Sequence, residues 1–181
     1  MSVIAMTAVA ITSCGDETPG SPQPASNESS ASSPGTTGAA SNALAAVKAC
    51  TLLTNAEAQQ AVPGIGAPVD KGQLGGSSSA CDWAKPATDT EGAVGFIIAV
   101  RPTQTLDEVV FDRGVSSTGT FGSLKARQVK GIGGEGTCLL SLAAGNVGRV
   151  DINTSSGRLT SDEACQVTSK VAEVIEPKLP A

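Results

Sequence analysis

Alternation of apolar and polar residues marks most of the strands in this chain. In "AVGFIIAVR" (93–101), Val94, Phe96, Ile98 and Val100 fall on one side and Gly95, Ile97 and Ala99 on the other, the two-residue period of a strand. The run "VGRVDINT" (147–154) alternates Val150 and Ile152 with Arg149, Asp151 and Asn153, which predicts a sheet wet on one face. Further strands are expected at "ACDWA" (80–84), "LKARQV" (124–129) and "TCLLSLA" (137–143), with "AGN" (144–146) as a hairpin turn.

Three segments carry the helix period instead, and each is announced by a T-x-x-E capping box: Thr54 to Glu57, Thr105 to Glu108 and Thr160 to Glu163. In such a box the Thr oxygen accepts from the N3 amide while the Glu reaches back to the N-cap amide. The first helix should run to about Val62, before Pro63-Gly64. The second should carry Leu106, Val109 and Val110 on one face and end at Gly114. The third spaces Ala164, Val167, Val171 and Val174 up to Pro177. The predicted order is α-β-β-α-β-β-β-α, an α+β domain with an antiparallel sheet and three helices packed against it.

Cysteine count adds a covalent frame to that domain. Of five cysteines, Cys14 stands alone near the start, leaving Cys50, Cys81, Cys138 and Cys165. Their spacings of 31, 57 and 27 residues contain no C-x-x-C, and the chain has no His, so neither a zinc site nor a redox dithiol is indicated. Two disulfides are expected, which four cysteines can form in three ways; the shorter loops favour Cys50 with Cys81 and Cys138 with Cys165.

The first residues place the domain. "VIAMTAVAI" (3–11) is uncharged and mostly apolar, and Thr12-Ser13-Cys14 follows it. This resembles a bacterial lipobox, which implies that 1–13 is a signal peptide and Cys14 the lipidated first residue of the mature chain. No basic residue precedes Lys48, whereas a signal peptide opens with positive charge, so the leader is expected to begin upstream of Met1. Residues 14–43 then form a lipidated tether rich in Ser, Gly, Pro and Thr, expected to be disordered for want of large apolar groups; as a coil it would span roughly 30 Å. Residues 44–181 form one globular domain. The expected location is the extracytoplasmic face of the cell membrane, held by the lipid.

The cysteine motifs carry a wider resemblance. "CTLLTNAEAQQAV" from Cys50, "CDW" from Cys81, the glycine-rich "KGIGGEG" before a strand and a final amphipathic helix resemble the actinobacterial lipoproteins grouped as domain-of-unknown-function family 3558. The likeness implies a secreted, membrane-anchored domain with a disulfide joining the first two motifs, and it brings no established catalytic residues.

Composition narrows the function mainly by exclusion. The formal charge is −5 with no basic patch, which disfavours nucleic acid. Without His the usual general base is missing, and with four aromatic rings in all a sugar-stacking platform is disfavoured. "GIGGEG" (131–136) fits G-x-G-x-x-G, yet a strand follows where a nucleotide site needs a helix. Asp107-Glu108 and Asp162-Glu163 sit in first helical turns, where negative charge suits the helix dipole. No S-x-x-K motif accompanies Lys125, Lys130 or Lys170. No catalytic residue, cofactor or metal is therefore assigned. The expected function is a non-catalytic ligand-binding or sensing domain. Its cleft would be rimmed by loops near 72–80, 114–123 and 131–136, with Trp83, Gly133, Gly134 and Glu135 as candidate rim residues, set against burial of Trp83 beside a disulfide and a plain glycine turn between strands at 131–136. The alternatives are an accessory subunit docked on a membrane enzyme, transporter or kinase ectodomain and, weakest, a cell-wall hydrolase.

Overall fold

The "AVGFIIAVR" strand lies near the middle of a seven-stranded antiparallel sheet. The computed structural model describes residues 43–180; the expected signal peptide, Cys14 and all but the last residue of the expected tether lie outside the described residues. The strands are β1 (Val69–Gly72), β2 (Ser79–Lys85), β3 (Val94–Arg101), β4 (Val115–Phe121), β5 (Leu124–Lys130), β6 (Thr137–Ala144) and β7 (Gly148–Ser156), ordered β1-β2-β3-β7-β6-β5-β4 in space. The chain lays down β1 to β3 as one meander and crosses to the far edge through residues 102–114. It then returns as a second meander until β7 pairs with β3 along Val94–Arg101.

Register divides the residues between two faces. Phe96, Ile98 and Val100 of β3 lie beside Thr154, Ile152 and Val150 of β7, and these in turn beside Cys138, Leu140 and Leu142 of β6. This face is covered by α1 (Asn55–Ala61), α2 (Ser161–Ile175) and the segment before α1, whose Leu44, Leu52 and Leu53 are buried. Trp83 and Phe96, directly paired in the register, stack at 5.2 Å between ring centroids inside this core. Two disulfides fasten the cover to the sheet: Cys50 is bonded to Cys81 in β2, and Cys138 in β6 to Cys165 in α2. A buried hydroxyl pair at 2.8 Å, Thr168 to Thr154, joins α2 to β7.

The expectation of three packed helices is overturned, because among the described residues only two α-helices form. Thr54 and Thr160 cap α1 and α2 with complete capping boxes. At Thr105 the Glu108 carboxylate likewise accepts from the Thr105 amide at 2.6 Å, but only a 3₁₀ turn at Leu106–Glu108 follows. Tertiary burial outweighs the local start signal. Val109 and Phe111 pack with Val129, Ile132 and Leu139 on the second face of the sheet, while Val110 between them is 89% exposed. That in-out-in pattern requires an extended chain; a helix would turn Val109 and Val110 to the same side.

Two strands go unforeseen in the sequence. In β1, "VDKG", every residue is exposed, and β4, "VSSTGTF", is exposed from Val115 to Thr120; a strand with no buried face has no alternation to display. The segment 114–123, expected as a loop, is therefore β4 and its turn.

Several glutamates tie the elements together while ionised. The Thr54 amide, then the Lys178 ammonium and the Thr54 hydroxyl, hold Glu57 down to about 2. Glu163 is lowered by the Thr160 amide and hydroxyl, Glu176 by the Ser123 hydroxyl and amide, and Glu91 by Lys85. A depressed carboxylate stabilises the fold fully above its unfolded pKa of about 4.3 and loses that contribution as pH falls through its folded value. The melting temperature is thus expected to fall between about pH 4.3 and pH 2, and thermal melts of Glu57→Gln should show a shallower fall over that window.

Candidate functional site

On the face without helices, the wet pattern of β7 acquires a roof. Arg149, Asp151 and Asn153 project there beside Arg101, Ala99 and Ile97 of β3 and beside Ala143, Ser141 and Leu139 of β6. The 102–114 crossover passes over these residues, so Arg149 is only 4% exposed and Asp151 7%. Burying charge is costly unless each charge is paired and hydrogen-bonded, and here the pairing is dense. Asp151 Oδ2 accepts from Arg101 Nε at 2.5 Å, while Oδ1 accepts from Arg149 Nε at 2.9 Å and from the Ser141 hydroxyl at 2.6 Å. Arg149 also donates to the Thr105 carbonyl and, at 3.2 Å, to Gln104 Oε1. Arg101 Nη1 donates to Gln104 Oε1 and to the Gly75 carbonyl.

Above this network opens a cleft of about 430 Å³. Its walls are apolar: Ile97, Ala99 and Leu139 from the sheet, Val109 and Val110 from the crossover, and Leu74 and Ile132 from two loops. Arg101, Gln104, Arg149 and Asp151 meet at one end, and Asn153 stands between Ile97 and Leu139 further along. Arg101 makes its hydrogen bonds through Nε and Nη1 and also lines the cleft. Glu108 stands at the rim, its carboxylate held below the usual range first by the Thr105 amide, then by the Thr105 hydroxyl, with a smaller contribution from Arg149. The cleft thus has two arginines around one aspartate at one end, a carboxylate on its lip, and a body that is apolar but for Asn153. Ser141 is wholly buried, so its hydroxyl braces Asp151 and is closed to a substrate.

The residues singled out in the sequence do not assemble into this cleft. Trp83, weighed as a rim residue against burial beside a disulfide, is buried: it is 0% exposed in the opposite core, two residues after Cys81. Its aromatic surface is spent on Phe96, and no ligand reaches it. Gly133, Gly134 and Glu135 belong to the turn that positions α2. Thr137 Oγ1 accepts from the Gly133 amide and donates to the Gly134 carbonyl, and Glu135 Oε1 accepts from the Ser161 amide at 2.7 Å. Gly136 has φ +77, and a Cβ there would lie 2.2 Å from the Ser156 carbonyl oxygen, so the motif's last glycine is demanded by a close backbone approach. The strand β6 follows directly. Of the three loops expected to rim a cleft, 72–80 contributes Leu74 and Gly75 and 131–136 contributes Ile132.

Arg101, Gln104, Arg149 and Asp151 are the functional candidates that sequence reasoning missed. Two signals were present: oppositely charged Arg149 and Asp151 two apart on one strand face, and an apolar "VVF" in the crossover that had to be buried against something. Together they imply that this face is covered.

The comparisons agree with the resemblance carried by the cysteine motifs. The family described as Protein of unknown function (DUF3558) matches residues 9–178. No curated protein and no solved structure gave a match. The match spans nearly the whole chain, and this protein belongs to the DUF3558 family.

Proposed function

We propose that this chain is a cell-envelope lipoprotein, anchored through Cys14 outside the cytoplasmic membrane, whose domain binds a small amphipathic ligand without chemically altering it. The observation that carries the binding reading is the cleft over the Arg101–Asp151–Arg149 network. Binding sites pair apolar walls with a few placed polar groups, and the cleft has both, with Arg101 among the lining residues at the charged end. The ligand's acceptor-rich head lies against Arg101 and its apolar part along Ile97, Ala99 and Leu139. The absence of His from the whole chain and the burial of Ser141 support binding over turnover. The Thr12-Ser13-Cys14 sequence supports the anchor, and among the described residues no helix is long and apolar enough to cross a membrane.

Thermal melts against amphiphiles with carboxylate, phosphate, amide or hydroxyl heads test the binding. A true ligand at a hundredfold its Kd stabilises by about 2.7 kcal/mol, which raises the melting temperature by roughly 5–10 °C in a domain of this size. Ile97→Trp fills the cleft and should abolish the shift while leaving the unliganded melt within a few degrees of wild type. A library that shifts neither chain, or both equally, would reject the cleft as the site. For the anchor, Cys14→Ser should move the chain from the membrane to the soluble fraction with both disulfides intact.

A further inference from the structure

The two edges of the sheet are built differently. β1 is four residues long, carries Asp70 and Lys71, and breaks register with β2 between Asp70 and Gly72. Short length, charge and a bulge are the devices by which proteins keep an edge from pairing with another chain. β4 has none of them. It runs seven residues without a charge or a proline, in unbroken register with β5 from Val115 to Phe121, and it is exposed from Val115 to Thr120. Val115 is 68% exposed.

Backbone geometry says which groups this edge presents. β4 and β5 are joined by Gly122-Ser123, with φ +56 at Gly122, the signature of a type II′ hairpin whose closing pair, Phe121 and Leu124, is hydrogen-bonded. Alternation along the ladder then commits the amides and carbonyls of Phe121, Gly119, Ser117 and Val115 to β5. Those of Ser116, Thr118 and Thr120 point outward, without a partner among the described residues.

We propose that two copies of this chain pair antiparallel through β4, about a two-fold axis at Thr118, to form a continuous fourteen-stranded sheet. The occupant follows from the strand's own sequence, which is self-complementary about its centre. A two-fold at Thr118 sets Thr118 opposite the second copy's Thr118 and Ser116 opposite its Thr120. These are the residues with outward backbone groups, and they make three hydrogen-bonded pairs. The same register sets Val115 opposite the second copy's Phe121 on the other face. Hydroxyl pairs and aromatic–β-branched pairs are favourable cross-strand neighbours, and a two-fold contact must be self-complementary. Charge allows it: Arg127 on β5, in register with Thr118, would face its copy across three strand spacings, roughly 14 Å, beyond a Debye length of about 8 Å, and Lys125, in register with Thr120, would lie farther from its copy. Arg127 is in addition paired with Asp107.

Sedimentation velocity on the full chain carrying Cys14→Ser, from about 1 to 500 μM, tests this. The contact is small, so a Kd in the micromolar range is expected. Thr118→Lys and Thr118→Glu each place like charges in contact across the axis and should raise the Kd about fivefold or more, while Thr118→Val keeps the dimer. Equal amounts of the Lys and Glu chains should pair again. Thr118 is exposed and its amide has no partner among the described residues, so each variant should keep the wild-type circular dichroism and, at concentrations below the dimer Kd, a melt close to wild type. A wild type monomeric throughout, dimers indifferent to both charged variants, or folded Lys and Glu chains that fail to pair on mixing would each overturn the proposal. A monomer that instead takes an unrelated extended peptide along β4 would overturn it as well.

Discussion

Asp151→Ala is expected to lower the unfolding free energy by about 3–5 kcal/mol, because it strands two guanidiniums in a site built around one carboxylate. Arg149, whose side chain is 5% exposed, and Arg101, at 16%, both direct Nε to Asp151, and Ser141 would lose its acceptor as well. The loss reflects uncompensated burial more than the worth of the pairs, so removing a stranded charge should recover part of it. Asp151→Ala with Arg149→Leu is therefore expected to be more stable than Asp151→Ala alone. Asp151→Asn, which keeps an acceptor for Ser141, should fall between wild type and the alanine variant. Urea unfolding of the four chains gives the ordering, and an Asp151→Ala chain within 1 kcal/mol of wild type would mean that the guanidiniums find water or other partners there.

Replacing Cys50 and Cys81 together with alanine is expected to cost about 3 kcal/mol. The bond closes a loop with a sequence separation of 31, and cross-links over loops of this length stabilise by about 2–4 kcal/mol, chiefly by restricting the unfolded chain. It also pins the segment that brings Leu44, Leu52 and Leu53 into the core, so the reduced chain should open there first. Hydrogen exchange should show residues 43–53 losing protection before β3 and β7 do. Uniform loss across the sheet would show instead that the segment and the sheet open as one unit.

What could be read in the sequence follows from where burial is one-sided. β3 and β7 declared themselves because Phe96, Ile98, Val100, Val150 and Ile152 face the helical core while their neighbours do not. The caps of α1 and α2 were legible because Thr54 and Thr160 act on amides three residues away. The same signal misled at Thr105, since nothing within four residues tells that Val109 and Phe111 are claimed by Val129 and Leu139 from distant strands. β1 and β4 were silent because neither packs a face. The site was hidden for a related reason: Arg149 and Asp151 looked like solvent-facing residues of a wet strand, and only the path of the crossover turns them into a buried cluster. Trp83 drew attention as the sole Trp, yet a lone large aromatic is as useful to a core as to a ligand, and the core holds it.

The central claim is that the face opposite the helices holds a small molecule against Arg101. Native mass spectrometry of the chain purified from its source cells in mild detergent is the sharpest test, with the Ile97→Trp chain prepared alongside. The wild-type mass should exceed that of the doubly disulfide-bonded polypeptide and any lipid joined to it by one small ligand, which is released on denaturation and is missing from Ile97→Trp. Wild-type and Ile97→Trp chains that carry the same adduct, or none, would contradict it.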